Sequence, residues 1–129
     1  MEQKQEYYTW EEFEKDVEKM TAILESKGLI STFKNVYGFP RGGLILAVCI
    51  SHRLGIPLIL DKEQITEKTL IVDDIADTGK TLYPLKIHYL LSSLKPIIIT
   101  LFYHRQSLFA PDIWLREKKD KWIHFPWEA

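Results

Sequence analysis

Three carboxylates and a run of hydroxyl and glycine residues lie within one short segment, residues 73–81. Asp73, Asp74 and Asp77 concentrate negative charge, which suits a divalent cation or the hydroxyl groups of a sugar. The remaining polar residues are Thr78, Gly79, Lys80 and Thr81. They are predicted to open a helix, and the backbone N–H groups of a helix N-terminus favour phosphate. A sugar phosphate would use both halves of this segment.

Two other motifs are excluded by spacing. Residues 79–81 resemble the end of a Walker A loop, but that motif needs a glycine where this chain has Asp74. A receiver domain carries its acid pair on the first strand, whereas Asp74 lies past the middle of the 129 residues. A polar turn with ordinary capping residues is the simplest alternative. Three acids followed by Thr-Gly-Lys-Thr exceed what capping requires.

A second unusual segment, residues 40–43, reads Pro-Arg-Gly-Gly. Strands are predicted over residues 35–39, 56–60, 69–74 and 96–102, and helices over residues 44–54 and 80–94. Short, unbroken apolar strands separated by helices indicate a buried, mostly parallel α/β sheet. In such sheets ligands bind beyond the carboxyl ends of the strands. Both unusual segments lie at those ends, and each precedes a helix.

The N-terminal part of the chain predicts one amphipathic helix. Thr9 and Glu12 form a capping-box pattern, and Gly28 stands where a helix ends. The apolar stripe between them is Trp10, Phe13, Val17, Met20 and Leu24. This spacing is typical of a helix that packs on a core.

Composition restricts the class of protein. The chain has 129 residues, 46% hydrophobic and 27% charged, which predicts a single globular domain over residues 1–129. Its formal net charge of −1 provides no basic excess for nucleic acid or an anionic membrane. The single cysteine, Cys49, indicates a reducing compartment, and its apolar neighbours indicate a packing role rather than a nucleophile. The polar N-terminus and the lack of a long apolar run predict a cytoplasmic protein without a membrane span.

Three motifs together resemble one family, the type I phosphoribosyltransferases. Residues 70–82, Leu-Ile-Val-Asp-Asp-Ile-Ala-Asp-Thr-Gly-Lys-Thr-Leu, resemble its motif for phosphoribosyl pyrophosphate (PRPP). Residues 40–44 resemble its pyrophosphate loop. Residues 121–128, Lys-Trp-Ile-His-Phe-Pro-Trp-Glu, resemble the C-terminus of the bacterial and archaeal xanthine-guanine branch. The resemblance implies an α/β fold of the phosphoribosyltransferase type, with a mostly parallel central sheet flanked by helices and a small C-terminal hood.

The resemblance also implies an activity. Members transfer the phosphoribosyl group from PRPP to a base, here a purine such as guanine, xanthine or hypoxanthine. The products are a nucleoside 5′-monophosphate and pyrophosphate, and the reaction needs Mg²⁺. The implied ligands are PRPP and a purine base or nucleotide. Because members of the family commonly form homodimers, the resemblance also implies a homodimer. A non-catalytic PRPP- or nucleotide-binding regulatory protein of the same fold is the alternative.

The family's motifs imply a role for each matching residue in the two segments, residues 40–44 and 70–82. The pyrophosphate would be held by Arg41, Gly42 and Gly43, with a cis peptide between Pro40 and Arg41. Asp73 and Asp74 would bind the ribose and Mg²⁺. Asp77 would be the catalytic general base beside the purine ring. The 5′-phosphate would be held by Thr78, Gly79, Lys80 and Thr81.

The implied base site is formed by residues near the C-terminus. Trp122 would stack on the base and the Ile123 backbone would contact its edge, with core packing as the alternative for Trp122. The purine branch has a lysine at the end of its fourth core strand, where it contacts the exocyclic oxygen of the base. An ungapped alignment puts His104 there. Arg105 could substitute if it turned inward, and otherwise it would lie in solvent.

The connection between the second and third predicted strands is much shorter than in the family. Residues 61–69 stand where members carry a mobile lid. Because an extended residue spans only about 3.3–3.6 Å, we expect an extended, exposed link with no residues to spare for covering the ligand. Ile65 is its only large apolar side chain. A reduced lid predicts slow transfer or PRPP hydrolysis.

Overall fold

The computed structural model describes residues 4–80, 83–84 and 96–128. Its helices are α1 (Trp10–Ser26) and α2 (Gly42–Leu54). Its strands are β1 (Lys4–Tyr7), β2 (Asn35–Gly38), β3 (Leu58–Ile59), β4 (Thr69–Ala76), β5 (Ile97–His104), β6 (Ile113–Lys118) and β7 (Lys121–His124). The helix predicted over residues 80–94 falls mostly outside the described residues.

The central sheet has the strand order β3-β2-β4-β5-β6, and each neighbouring pair is parallel. The predicted parallel α/β sheet is therefore confirmed. β4 lies at its centre, where Leu70, Ile71 and Val72 are fully buried. Since β2 and β4 run in the same direction, the loops after them meet at one edge of the sheet.

A separate two-stranded sheet joins the two ends of the described chain. β1 pairs in parallel with β7, with Gln5 opposite Trp122 and Glu6 opposite Ile123. This small sheet is the hood that the C-terminal motif implied. Its N-terminal strand was not predicted, because a four-residue polar segment with one aromatic residue carries little periodic signal.

Helix α1 begins as predicted. The Thr9 hydroxyl accepts from the Glu12 N–H at 3.1 Å, and the Glu12 carboxylate accepts from the Thr9 N–H. Gly28, in the left-handed region at φ 68°, follows the end of the helix. Four members of the apolar stripe are buried, but Trp10 is 54% exposed. Its inclusion in the core was wrong, since its ring instead packs edge-on against Phe13 and Trp127 at the rim of the hood.

A buried polar cluster connects α1 to the sheet. Asp16 is only 3% exposed and accepts from the Tyr8 hydroxyl at 2.6 Å. It also accepts from Nε and Nη2 of Arg116 on β6, at 2.7 and 3.2 Å. Burial, together with the neighbouring Asp16 carboxylate, raises the pKa of the Tyr8 hydroxyl. The connection before α1, α1 itself and β6 thereby meet at one buried carboxylate.

The connection over residues 61–69 is exposed except for Ile65 and Thr69. Ile65 packs into a second core cluster with Tyr37, Phe39, Ile71 and Ile98. The expectation of a fully extended link was wrong, since Lys62–Gln64 forms a 3-10 turn. The reason is that β3 has only two residues, so the chain returns over a shorter distance than a full strand would require.

Two further expectations concern the Cys49 thiol and membrane-spanning helices. Cys49 is half-buried, and burial raises the pKa of its thiol, which disfavours a nucleophilic thiolate. No helix within the described ranges is long and apolar enough to cross a membrane.

The cluster around Asp16 predicts a stability effect. Arg116→Met should lower the free energy of unfolding by about 2–4 kcal/mol, because it leaves a buried carboxylate without its cation. Arg53→Met is the control, since Arg53 forms a looser pair with Glu18 at 3.7 Å on the surface; its effect should stay below about 1 kcal/mol. Urea unfolding followed by circular dichroism measures both. Equal effects would contradict a role for the buried cluster.

Candidate active site

The acid pair lies at the carboxyl end of the central strand, β4. Asp73 is 7% exposed, and its Oδ1 accepts from the Asp74 N–H at 2.9 Å. Burial and the neighbouring carboxylate raise the pKa of Asp73 to about 9. Burial also raises the pKa of Asp74. Within the described ranges, neither side chain forms an ion pair with a basic residue, so the pair is suited to a cationic ligand.

The loop after β2 packs directly against these acids. The peptide bond between Pro40 and Arg41 is cis, which confirms that expectation. A Cβ atom on Gly42 would lie 2.1 Å from Asp74 Oδ2, and one on Gly43 would lie 2.9 Å from Asp73 Oδ1. A side chain at position 42 would therefore displace the Asp74 carboxylate, and one at position 43 would also press on the backbone of β4, even without a ligand. Arg41 is exposed at the mouth of this loop.

The segment after β4 forms a tight turn. Gly79 has φ 81°, and the Lys80 N–H donates to the Thr78 hydroxyl at 3.2 Å. The turn rests on the loop between β5 and β6, whose Leu108 N–H donates to the Thr78 carbonyl at 2.9 Å. A Cβ atom on Gly79 would lie 2.7 Å from that same Leu108 nitrogen. The predicted phosphate residue Thr81 falls outside the described residues.

One cavity of about 320 Å³ brings the two unusual segments together. Its walls include Arg41 and Gly42 from the first segment, and Asp73, Asp74, Asp77, Thr78 and Gly79 from the second. Trp127 and Glu128 complete it from the C-terminal motif. Residues distant in sequence thus surround a single space that is lined by acidic side chains and by two glycine-containing loops.

A smaller cavity of about 170 Å³ adjoins the first and shares Asp74, Ile75, Asp77 and Glu128 with it. Trp122, on β7, lines this cavity and is 50% exposed, so it is not a core residue. Ile123 also lines it, although its side chain is buried. Asp77 thus lies where the two cavities meet.

Two basic side chains contact Asp77. His104 Nδ1, at the end of β5, lies 3.3 Å from its Oδ1. Lys118 Nζ, at the end of β6, donates to its Oδ2 at 2.8 Å. Arg105 instead points into solvent and pairs with Glu117. The exposed alternative for Arg105 is therefore correct.

Sequence reasoning missed Lys118 and assigned no role to Glu128. Both residues line the smaller cavity. β6 was not predicted as a strand, because its sequence, Ile-Trp-Leu-Arg-Glu-Lys, is neither continuously apolar nor regularly alternating. The signal for Glu128 was present, since it ends the C-terminal motif.

Known proteins provide an independent comparison. A purine phosphoribosyltransferase from Pyrococcus horikoshii is 30% identical to this chain, with a TM-score of 0.78 and coverage of 95% of this chain and 93% of that one. This chain belongs to the type I phosphoribosyltransferase family. The family resemblance of the three motifs is thereby confirmed.

Further relatives agree, although no family model matches the chain. A xanthine-guanine phosphoribosyltransferase of Nitratidesulfovibrio vulgaris is 28% identical over 146 residues, which cover 94% of this chain and 83% of that protein. A Helicobacter pylori xanthine-guanine-hypoxanthine phosphoribosyltransferase is 21% identical, has a TM-score of 0.76, and shares the fold. The protein is a phosphoribosyltransferase.

The raised pKa of Asp73 predicts how the stability of this phosphoribosyltransferase depends on pH. The carboxyl pKa rises from 3.8 to about 9 on folding, so the folded chain retains a proton that the unfolded chain releases. This contribution is fully present below the unfolded pKa and is lost as pH rises through the folded pKa. Stability without ligands should therefore fall between about pH 5 and about pH 9.

Asp73→Asn tests this dependence. Its amide stays neutral and can still accept from the Asp74 N–H. We expect the variant to be at least about 2 kcal/mol more stable than wild type near pH 9 and to have a flatter profile. Thermal unfolding across the pH range measures it, with the exposed Glu14→Gln on α1 as control. A wild-type profile as flat as that of the variant would contradict a neutral Asp73.

Proposed function

We propose that this enzyme transfers the phosphoribosyl group from PRPP to a 6-oxopurine base, with Mg²⁺. The observation that carries the proposal is the shared Asp74–Asp77 wall between the larger cavity and the smaller one beside Trp122. The larger cavity has the groups that a phosphorylated sugar needs, and the smaller one has an open aromatic face. The relatives described above are named for purine substrates. Its ligands would be PRPP and a purine base or nucleotide, and a homodimer stays a prediction.

PRPP would occupy the larger cavity along its length. Its pyrophosphate would lie against the backbone amides of residues 41–43, and the exposed Arg41 guanidinium suits a bidentate phosphate contact. Its 5′-phosphate would lie at the turn of residues 78–80, which follows β4 and carries the Thr78 hydroxyl and the backbone amides of Gly79 and Lys80. Its ribose hydroxyls would then face Asp73 and Asp74 between the two phosphate sites.

Asp77 would take the proton that the reaction releases. As a purine ring nitrogen bonds to the anomeric carbon, the bond from that carbon to the pyrophosphate oxygen breaks. The purine then loses an N–H proton, which the Asp77 carboxylate can accept. His104 and Lys118 would hold the carboxylate in position through their contacts with its two oxygens.

The acid pair fits Mg²⁺ by its chemistry. Mg²⁺ prefers oxygen ligands and commonly uses one or two carboxylates together with substrate phosphates and water. Asp73 and Asp74 provide two such carboxyl groups, and burial raises the pKa of each in the absence of a bound cation. No cluster of three ligating side chains occurs among the described residues, so PRPP would supply the remaining contacts. When bound, the ion would neutralise charge on the pyrophosphate leaving group.

The primary test is a transfer assay over a panel of bases. PRPP is supplied with guanine, xanthine, hypoxanthine, adenine or uracil, with Mg²⁺ or with a chelator in its place. We expect nucleotide formation only with Mg²⁺ and fastest with a 6-oxopurine. Parallel measurement of free ribose phosphate reports hydrolysis, which the short connection over residues 61–69 should permit. Tight nucleotide binding without turnover of any base would favour a regulatory protein instead.

Asp77→Asn tests the proposed general base. Its amide cannot accept the proton, so transfer should fall by about 10²–10⁴-fold. PRPP affinity, measured by isothermal titration, should change little, because Asp77 lies at the base end of the larger cavity. The conservative Asp77→Glu should retain more activity than Asp77→Asn. Unchanged turnover in Asp77→Asn would remove this residue from the mechanism.

Gly79→Ala tests the proposed 5′-phosphate site. Gly79 and Gly55 both have positive φ, at 81° and 67°. An alanine there should cost about 1–2 kcal/mol of stability at either position. Only at Gly79 would the added Cβ also meet Leu108 and Ser107. We therefore expect more than tenfold weaker binding of a 5′-monophosphate to Gly79→Ala in isothermal titration. Binding to Gly55→Ala should match wild type, and equal affinities in both variants would contradict this assignment.

A further inference from the structure

Lys118 is the one buried lysine among the residues that the structure describes. It ends β6, the edge strand of the central sheet, and lies opposite His104 on β5. Its side chain is 10% exposed, compared with 37% for its partner Asp77. Its Nζ lies 5.7 Å from the centre of the Trp122 ring. The ammonium group is therefore held between Asp77 and the open aromatic ring.

Fold stability does not account for this placement. Burying an ammonium group costs desolvation energy, and a buried ion pair commonly returns no net stability over apolar residues of similar size. Asp77 does not require Lys118 for solvation, because its side chain is partly exposed and also lies beside His104. A site where a ligand is bound gives this lysine a reason to be there.

The chemistry of the pair defines which ligand edge it matches. An ammonium group only donates hydrogen bonds, whereas an ionised carboxylate only accepts them. Lys118 and Asp77 therefore complement an edge that carries an acceptor beside a donor. A 6-oxopurine protonated at N7 has this edge, with the O6 carbonyl next to the N7–H. A 6-aminopurine presents a donor at the same position, which an ammonium group opposes.

We propose that Lys118, from β6, selects a purine with a carbonyl oxygen at position 6 over one with an amino group. The inference rests on the proposed purine transfer and adds the residue that reads the base. It assigns to the edge strand a role that sequence alignment assigned to His104 at the end of β5. His104 is then a neighbour that orients Asp77.

The test compares two bases in one assay. The ratio of kcat/KM for hypoxanthine to kcat/KM for adenine should be high in wild type. Lys118→Met should reduce it by about 10- to 100-fold, because the carbonyl loses its charged donor and the amino group loses an opposing cation. Lys119→Met is the matched control, since Lys119 is the adjacent exposed lysine; its ratio should equal that of wild type. A structural role for Lys118 would lower both rates together and leave the ratio unchanged.

A binding measurement keeps the test valid if Lys118→Met folds poorly. Lys118→Gln keeps a polar side chain that can both donate and accept. In isothermal titration, Lys118→Gln should reduce the preference for inosine monophosphate over adenosine monophosphate by at least about tenfold. Lys118→Arg, which still only donates, should keep that preference.

The outcomes separate this inference from the proposed function. A wild-type enzyme that uses no purine would overturn both. Purine transfer with an unchanged ratio in Lys118→Met, or an unchanged nucleotide preference in Lys118→Gln, would overturn the role of Lys118 alone. So would a ratio that collapses in His104→Gln but not in Lys118→Met.

Discussion

The contact between the acid pair and the glycine loop is the constraint on which the rest of the site depends. Asp73 and Asp74 lie at the buried end of β4, and the loop after β2 approaches so closely that a side chain at position 42 or 43 would collide with one of the two acids. Adjacent buried carboxylates are unfavourable by themselves, as their raised pKa values reflect. The fold tolerates them because β4 is central and its neighbours are fixed on both sides. Stability is thus given up where a cationic or hydroxyl-rich ligand can recover it.

A second constraint positions the part of the site proposed to bind the base. Arg116 and Lys118 lie two residues apart on β6 and thus on the same face, so the strand that carries Lys118 towards Asp77 is itself anchored to α1 through Asp16. The hood is anchored separately, because β7 pairs with β1 and places Trp122 beside the end of β6. The chain before α1 therefore contributes to a site whose recognisable motifs all lie far from it in sequence.

What could be predicted from the sequence divides in a similar way, into features with local signals and contacts between distant residues. The parallel sheet and the acid-rich turn were predictable, since continuous apolar strands and a dense polar motif are local signals. The cis peptide bond, the family and the meaning of the C-terminal motif were predicted only from the resemblance to known phosphoribosyltransferases. Lys118 was not predictable, because a lysine in a run with Glu117 and Lys119 looks solvent-exposed, and only the pairing of β5 with β6 brings it to Asp77. The burial of Asp16 was hidden for the same reason, since its partner Arg116 lies on a distant strand.

The short connection between β3 and β4 changes how this enzyme must lower its barrier. Residues 61–69 use Ile65 to pack into the core, and none of them is among the described residues that line the two cavities. That segment therefore cannot accelerate the reaction by enclosing the ligand and excluding water. In the proposed reaction, what remains are groups already fixed in the absence of ligand, namely the amides of residues 41–43, the acid pair, and Asp77 beside His104 and Lys118. Preorganised charge needs no reorganisation during the reaction, so it can act in a site that stays open to water.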